Sequence, residues 1–466
     1  MDTSATPDPG SWANLFRRGR PRRVGHFPID AFPAIPVSAQ AVQVLSGPPA
    51  FRSVLLERIA GARHRIILVC LYLQDDPSGR EIMEALYAAH RTNPGLDIQV
   101  LVDTHRAQRG LIGKAKSPGN AAMYRDFASR YGPGVRILGV PVQSRELFGV
   151  LHLKGFIFDD SVLYSGASLN DVYLGQGGRY RLDRYHLFES KILADCLADF
   201  VRATFLNQAA VTSLNDPADA VEGGSSHDLR TFRRGLRAAQ YTFEGGPVRP
   251  GEVAVTPLAG LGAGNRLNET ILALLKSTQR KLVIYTPYFN LPGEVRRAVS
   301  RQLAQGREVT IVVGDKAAND FFIPPSEPFK VIGLLPYLYE ANLRRFTKAH
   351  RQAMADGRLK VYLWHHADNT FHMKGLFVDD KIAVVTGNNL NPRAWNLDLE
   401  NGLVIQDPRG LLRSQHARER ASILKHATRL ASFQDLETPS AYPPKVQQAL
   451  RPMNRTRIDR LLNRLL

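Results

Sequence analysis

A chain of 466 residues is long enough for two ordinary domains or one large duplicated one, and its 44% hydrophobic content gives each half a core. Lysine and arginine exceed aspartate and glutamate by 61 to 43, a formal net charge of +18 that points to anionic partners such as nucleic acid, anionic lipid or phosphorylated substrates. Two cysteines, Cys70 and Cys196, exclude a disulfide framework and favour a reducing compartment, while no stretch approaches the ~20 apolar residues of a membrane span.

Residues 1–40 are rich in Pro, Gly and Arg, include "RRGRPRR" at 17–23 and lack an apolar signal core, so a basic arm is expected there. Strand-like runs then alternate with helical stretches through 41–215: "RIILVCLYL" (65–73), "LDIQVLVD" (96–103), "VRILGVPV" (135–142) and "HLKGFIFDD" (152–160). A polar stretch at 214–228 places a linker over 216–250. The same succession returns over 251–440, with "RKLVIYTPYF" (280–289), "REVTIVVGD" (307–315), "LKVYLWHH" (359–366), "HMKGLFVDD" (372–380) and "KIAVVTG". Alternation implies an α/β fold, and its repetition implies a duplication. Over 441–466, Ile458, Leu461, Leu462, Leu465 and Leu466 fall at helical spacing beside Arg457, Arg460 and Arg464, the pattern of a basic amphipathic helix at an anionic lipid surface.

Two near-identical blocks carry the chemistry. On a strand, His152 and Lys154 share one face, as do His372 and Lys374. Packing the halves about a pseudo-two-fold axis brings two imidazoles and two ammonium groups together, a set suited to a phosphodiester. The lysines neutralise phosphate oxygens, one neutral imidazole attacks phosphorus, and the other exchanges a proton with the leaving and incoming oxygens. No metal or cofactor is expected: no Gly-rich nucleotide loop appears, and His365, His366, Asp368 and His372 match no standard ligand spacing. Carboxylates that fix each imidazole's tautomer are sought at Glu400 and Asp183, which stand alike at the heads of their strands. Arg106 and Arg109 follow a strand end, where a pyrophosphate or a carboxylate can be held.

These blocks resemble the phospholipase D superfamily, whose members carry two HxKxxxxD motifs, one from each half of a duplicated α/β sandwich with the active site between. Asn389, ten residues beyond Asp379, matches the family asparagine, although Thr386-Gly387 replaces the usual Gly-Ser. In the first half, aligning "GASLN" with "GNNLN" puts Ser168 opposite Asn389 and Asn170 opposite Asn391; side-chain reach favours Asn170 for the phosphate. Within the superfamily the chain looks like the phosphatidylserine synthases of Gram-negative bacteria over nearly its whole length, through "DTHRAQRG", "LYSGASLNDVYL", "GDKAANDFFIPP" and "TGNNLNPRAWNLDLEN".

The resemblance implies transfer of a phosphatidyl group from CDP-diacylglycerol to L-serine, with His152 as nucleophile and His372 as acid/base, the symmetric reverse staying open. It implies that Asp159 and Asp379 orient within each half, and that the protein sits in the cytoplasm against the inner face of the cell membrane. Cardiolipin synthase, phospholipase and nuclease activities share the first half-reaction and remain alternatives. So does a nonenzymatic role in which the positive charge binds nucleic acid or ribosomal surfaces. Oligomeric state is not legible.

Overall fold

A computed structural model of the chain describes residues 33–109, 119–216, 225–324 and 326–456. Two large mixed sheets form its frame. In the first, the order is Thr212–Ser213, Val135–Val140, Asp97–Asp103, Arg65–Val69, Gly155–Phe158, Ser161–Ser165, Tyr185–Glu189 and Val42–Val44. In the second it is Leu359–Trp364, Glu308–Gly314, Lys281–Thr286, Gly375–Val378, Ile382–Thr386, Leu399–Gln406 and Glu252–Leu261, with Ala427–Arg429 and Ile35–Ser38 as outer edges. The duplicated order is thus repeated strand for strand, three parallel strands followed by antiparallel ones in each half.

The strands are near-continuous apolar runs because both faces are covered. Ile66 and Leu68 pack outward with the helices Gly47–Gly61 and Pro77–Thr92, whereas Ile67 and Val69 point inward. The inward cluster is shared between halves: Ile67, Ile157 and Tyr164 join Val283, Phe377 and Val385 in one core. Helix Lys191–Phe205, started by Ser190 capping Leu193 N, adds Leu193, Leu197 and Val201 from one face to that core.

Three expectations are corrected. Residues 35–38, assigned to the arm, form a strand antiparallel to Glu252–Leu261, so the chain enters through the second sheet before building the first. Part of the expected linker is the helix Ser226–Ala238, closed by a Ser225/Asp228 capping box and buried through Phe232 and Leu236. Finally, His152–Lys154 and His372–Lys374 do not lie on the strands that follow them, which start at Gly155 and Gly375. Those glycines hold φ of 135° and 129°, a turn that detaches the preceding residues from their own sheet. The basic run 17–23 and residues 457–466 lie outside the described residues.

Candidate active site

Once detached, each histidine segment pairs with the other half. Leu151 bridges Leu399, and His152 N donates to Leu399 O at 2.9 Å. In the other direction Thr370–Phe371 pairs parallel with Arg181–Leu182, and His372 N donates to Leu182 O at 2.8 Å. Leu399 precedes Glu400 and Leu182 precedes Asp183, so each backbone exchange sets a histidine beside the acid of the opposite half. Asn401 fixes the first exchange further. Its amide accepts from Lys154 N at 2.9 Å and donates to Lys154 O at 2.8 Å.

The side chains complete the reciprocity. His152 Nδ1 lies 2.8 Å from Glu400 Oε1, and His372 Nδ1 lies 3.2 Å from Asp183 Oδ2. Lys374 Nζ donates to Asp183 Oδ2 at 2.6 Å and touches His372 Nδ1, while Tyr173 OH lies 2.8 Å from the same nitrogen. Lys154 Nζ donates to Ser168 Oγ at 3.2 Å. Two glycines make room: a Cβ on Gly166 would stand 2.8 Å from Lys374 Nζ and 2.9 Å from Asp183, and one on Gly387 would stand 3.0 Å from Lys154 Cγ and 3.3 Å from His152 O. Each glycine thus underlies the lysine of the opposite half.

Burial governs the charges. It holds both imidazoles neutral, with the neighbouring lysines adding to the effect. His152 falls well below the ordinary range, and His372 falls to about 4 against the opposing pull of Asp183 and Asp320. Burial, reinforced by Lys374, pushes Lys154 down to about 8. The two acids part company. Burial and Asp398 raise Glu400 well above the carboxylate range, whereas at Asp183 the pull of Lys374 and His372 outweighs burial and lowers it. The acid beside His152 thus holds its proton more tightly than the acid beside His372.

The other sequence-assigned residues divide. Asn170 is not at the lysines: its oxygen accepts from Tyr173 N, capping the short helix Asp171–Leu174. Asn391 caps Pro392–Asn396 in the same way through Ala394 N. Ser168 is the residue that reaches Lys154. Its counterpart Asn389 has a buried side-chain oxygen with no hydrogen-bond partner among the described residues. Asp159 accepts from the amides of Arg63, His64 and Arg65, and Asp379 from those of Gln279, Arg280 and Lys281, both at the far ends of their strands. Arg106 and Arg109 are drawn to Glu146, with Arg106 NH1 3.3 Å from Oε1. His366 lies 2.7 Å from Tyr180 OH and stacks on His426 at 3.8 Å. Among the described residues no three His, Cys, Asp or Glu side chains gather as metal ligands.

The model of the family described as cardiolipin synthase, PLD-like domain, matches residues 55–171 and again 271–422. The Escherichia coli CDP-diacylglycerol–serine O-phosphatidyltransferase PssA is 48% identical over 93% of this chain and 96% of its own length. The chain belongs to the phospholipase D-like family, in its serine O-phosphatidyltransferase branch. It is a transferase. The crystal structure of phosphatidylserine synthase from Haemophilus influenzae superposes with a TM-score of 0.90 at 42% identity, covering 94% of this chain and 98% of that one. The CDP-diacylglycerol–glycerol-3-phosphate 3-phosphatidyltransferase of Schizosaccharomyces pombe is 24% identical over 84% of this chain and 90% of its own.

Membership in this family accounts for the paired motifs, but several neighbours of the site carry no motif. Tyr173, Asn401 and Asp320 sit outside both nine-residue blocks and reach the histidines or lysines only through the fold. Tyr173 and Asn401 fall within the resembling stretches "LYSGASLNDVYL" and "TGNNLNPRAWNLDLEN", next to residues singled out there, but nothing in the sequence gave them a role. Asp320 Oδ2 lies 4.0 Å from His372 Nε2, at the end of the ring that faces away from Asp183.

Proposed function

We propose that this chain transfers the phosphatidyl group of CDP-diacylglycerol to L-serine, releasing CMP, through a phosphatidyl-histidine. The observation that carries the reading is near-full-length similarity to proteins named for this reaction. The reciprocal pairs supply its chemistry.

The neutral His152 presents Nε2 to the lipid-side phosphorus. An N–P bond forms while the P–O bond to CMP breaks, and CMP departs as its phosphate anion, a leaving group that needs no proton from the neutral His372. Lys154 and Lys374 hold the phosphate oxygens as charge builds, in a buried site where such contacts are strong. Serine then gives its hydroxyl proton to His372; the new O–P bond forms and the N–P bond breaks. The ionised Asp183 beside His372 stabilises the imidazolium that this step creates. The contrast between Glu400 and Asp183 therefore supports His152 as nucleophile and His372 as acid/base.

A lipid substrate requires access to the bilayer. Among the described residues no helix is long and apolar enough to cross a membrane. The net charge of +18, which suits anionic lipid, supports peripheral attachment, and we place it at the cytoplasmic face. The segment 319–346 adds an apolar shelf: Phe321, Phe322, Ile332 and Leu335 pack with Tyr288, Val331 beside them is 76% exposed, and the Tyr288 ring lies 6.0 Å from that of His372. Acyl chains laid on this shelf would end at the reacting phosphate.

CMP release from CDP-diacylglycerol in detergent micelles, with and without L-serine, tests the reading. Release indifferent to serine, or faster with glycerol 3-phosphate, sinks it. With radiolabelled lipid, His152→Ala should lose the covalent adduct and His372→Ala should accumulate it; the reverse pattern exchanges their roles.

A further inference from the structure

Beside His372 stands an ion pair that the phosphate chemistry does not use. Asp320 follows the short turn Lys316–Ala318, and Arg181 comes from the other half, on the strand that pairs with Thr370–Phe371. Arg181 Nε lies 3.0 Å from Asp320 Oδ1 and donates to Thr370 Oγ1 at 3.3 Å. Tyr288 OH donates to Asp320 Oδ2 at 2.9 Å, and the Arg181 guanidinium stands 4.9 Å over the Tyr173 ring. Their side chains are 18% and 10% exposed, Arg181 the former, so both charges are largely desolvated. A buried pair held only for stability is a poor investment, since apolar residues of similar volume often serve as well.

The position of the pair relative to the acid/base atom is informative. Asp320 Oδ2 stands 4.0 Å from His372 Nε2. A serine whose hydroxyl hydrogen-bonds Nε2 carries its ammonium roughly 3 Å from that hydroxyl, on the adjacent carbon. An ammonium there reaches Asp320. The carboxylate, on the same carbon as the ammonium, then falls toward the guanidinium that already touches Asp320, and an arginine fork suits a carboxylate.

We infer that Asp320 and Arg181 are the acceptor-binding residues, taking the ammonium and the carboxylate of a zwitterionic amino alcohol whose hydroxyl faces His372. The inference rests on the proposed serine transfer. It also deepens that reading, because an acid and a base side by side match a zwitterion, whereas a phosphorylated alcohol offers no cation to Asp320. In the transfer itself the serine hydroxyl loses its proton to His372 Nε2, its oxygen bonds to phosphorus, and the bond from phosphorus to His152 breaks. Asp320 and Arg181 exchange no proton; they position.

The test uses the full-length enzyme and needs no mutation at first. N-acetyl-L-serine, which lacks the ammonium, and ethanolamine and L-serine methyl ester, which lack the carboxylate, should each compete with L-serine at least about tenfold more weakly than D-serine, which keeps both charges, the cost of one lost charged contact. Asp320→Asn should raise the KM for serine about tenfold to a hundredfold with a much smaller fall in kcat, Asp320→Glu should recover part of it, and Arg181→Gln should narrow the preference for serine over ethanolamine. Equal competition by N-acetyl-L-serine overturns the inference, as does an Asp320→Asn enzyme that loses kcat with its serine KM unchanged. Wild-type enzyme whose CMP release ignores serine overturns the serine reading and this inference with it, whereas serine-dependent release with an unchanged Asp320→Asn KM overturns the acceptor site alone.

Discussion

Glu400 belongs to the second half of the chain, yet its Oε1 lies 2.8 Å from Nδ1 of His152 in the first. Asp183 crosses in the opposite direction to His372, at 3.2 Å. The halves are thus not two sites placed side by side. Each histidine is incomplete without the acid of its partner half, and both acids sit one residue past the backbone that receives the histidine segment.

Replacing either acid by its amide keeps the shape and removes the tautomer control. Glu400→Gln and Asp183→Asn should each lower kcat by about 10³-fold or more, by analogy with the acid of a Ser-His-Asp triad. Asp183→Asn should be the worse, because Lys374 Nζ also rests on Asp183 at 2.6 Å. Circular dichroism should show both variants folded; activity within tenfold of wild type would contradict the cross-half assignment.

The glycines under the lysines offer a steric test. A methyl at Gly166 meets Lys374 Nζ at 2.8 Å, and one at Gly387 meets Lys154 Cγ at 3.0 Å. Gly166→Ala and Gly387→Ala should therefore displace a lysine by a few tenths of an ångström to about 1 Å, costing on the order of 100-fold in kcat. Thermal unfolding should report only about 1–3 kcal/mol of overpacking. A loss confined to stability would place the lysines outside the chemistry.

Ser168 and Asn170 should separate by readout. Ser168→Ala removes a hydroxyl from Lys154 and should lower kcat about tenfold. Asn170→Ala removes a helix cap and should cost about 1 kcal/mol of stability while kcat changes less than about threefold. The opposite ranking would return the phosphate contact to Asn170.

Two pH effects follow from burial. Lys154 must be charged to hold phosphate, and its pKa of about 8 means that kcat/KM for CDP-diacylglycerol should fall as pH rises past 8. For stability the sign is set by His372, depressed to about 4 in the folded state: the unfolded chain binds the proton first as pH falls below its ordinary range. His152, His186 and His416 are depressed in the same direction. These imidazoles pull the urea midpoint down from pH 7 to pH 4.5 against the raised carboxyls of Glu400 and Asp398, so His186→Gln, which removes one of them, should make the midpoint fall less over that range; an unchanged pH dependence would mean that His186 is not buried neutral.

The sequence by itself determined the α/β class, the duplication, and the two histidine–lysine pairs, because strand periodicity and a nine-residue block are local patterns that repeat legibly. It also marked Glu400 and Asp183 as equivalent. Which acid serves which histidine was decided only in three dimensions, since Leu151 meets Leu399 and Phe371 meets Leu182 through pairings that span the chain. At Asn170 the decision was local. Sequence reach suggested the longer side chain, but the backbone turns that asparagine into a helix cap and leaves Ser168 at the lysine. Asp320 shows the limit most plainly: "GDKAANDFF" carries a family likeness but gives Asp320 no role, and its place 4.0 Å from His372 Nε2, beside the pairing of Thr370–Phe371 with Arg181–Leu182 of the other half, is seen only in the fold.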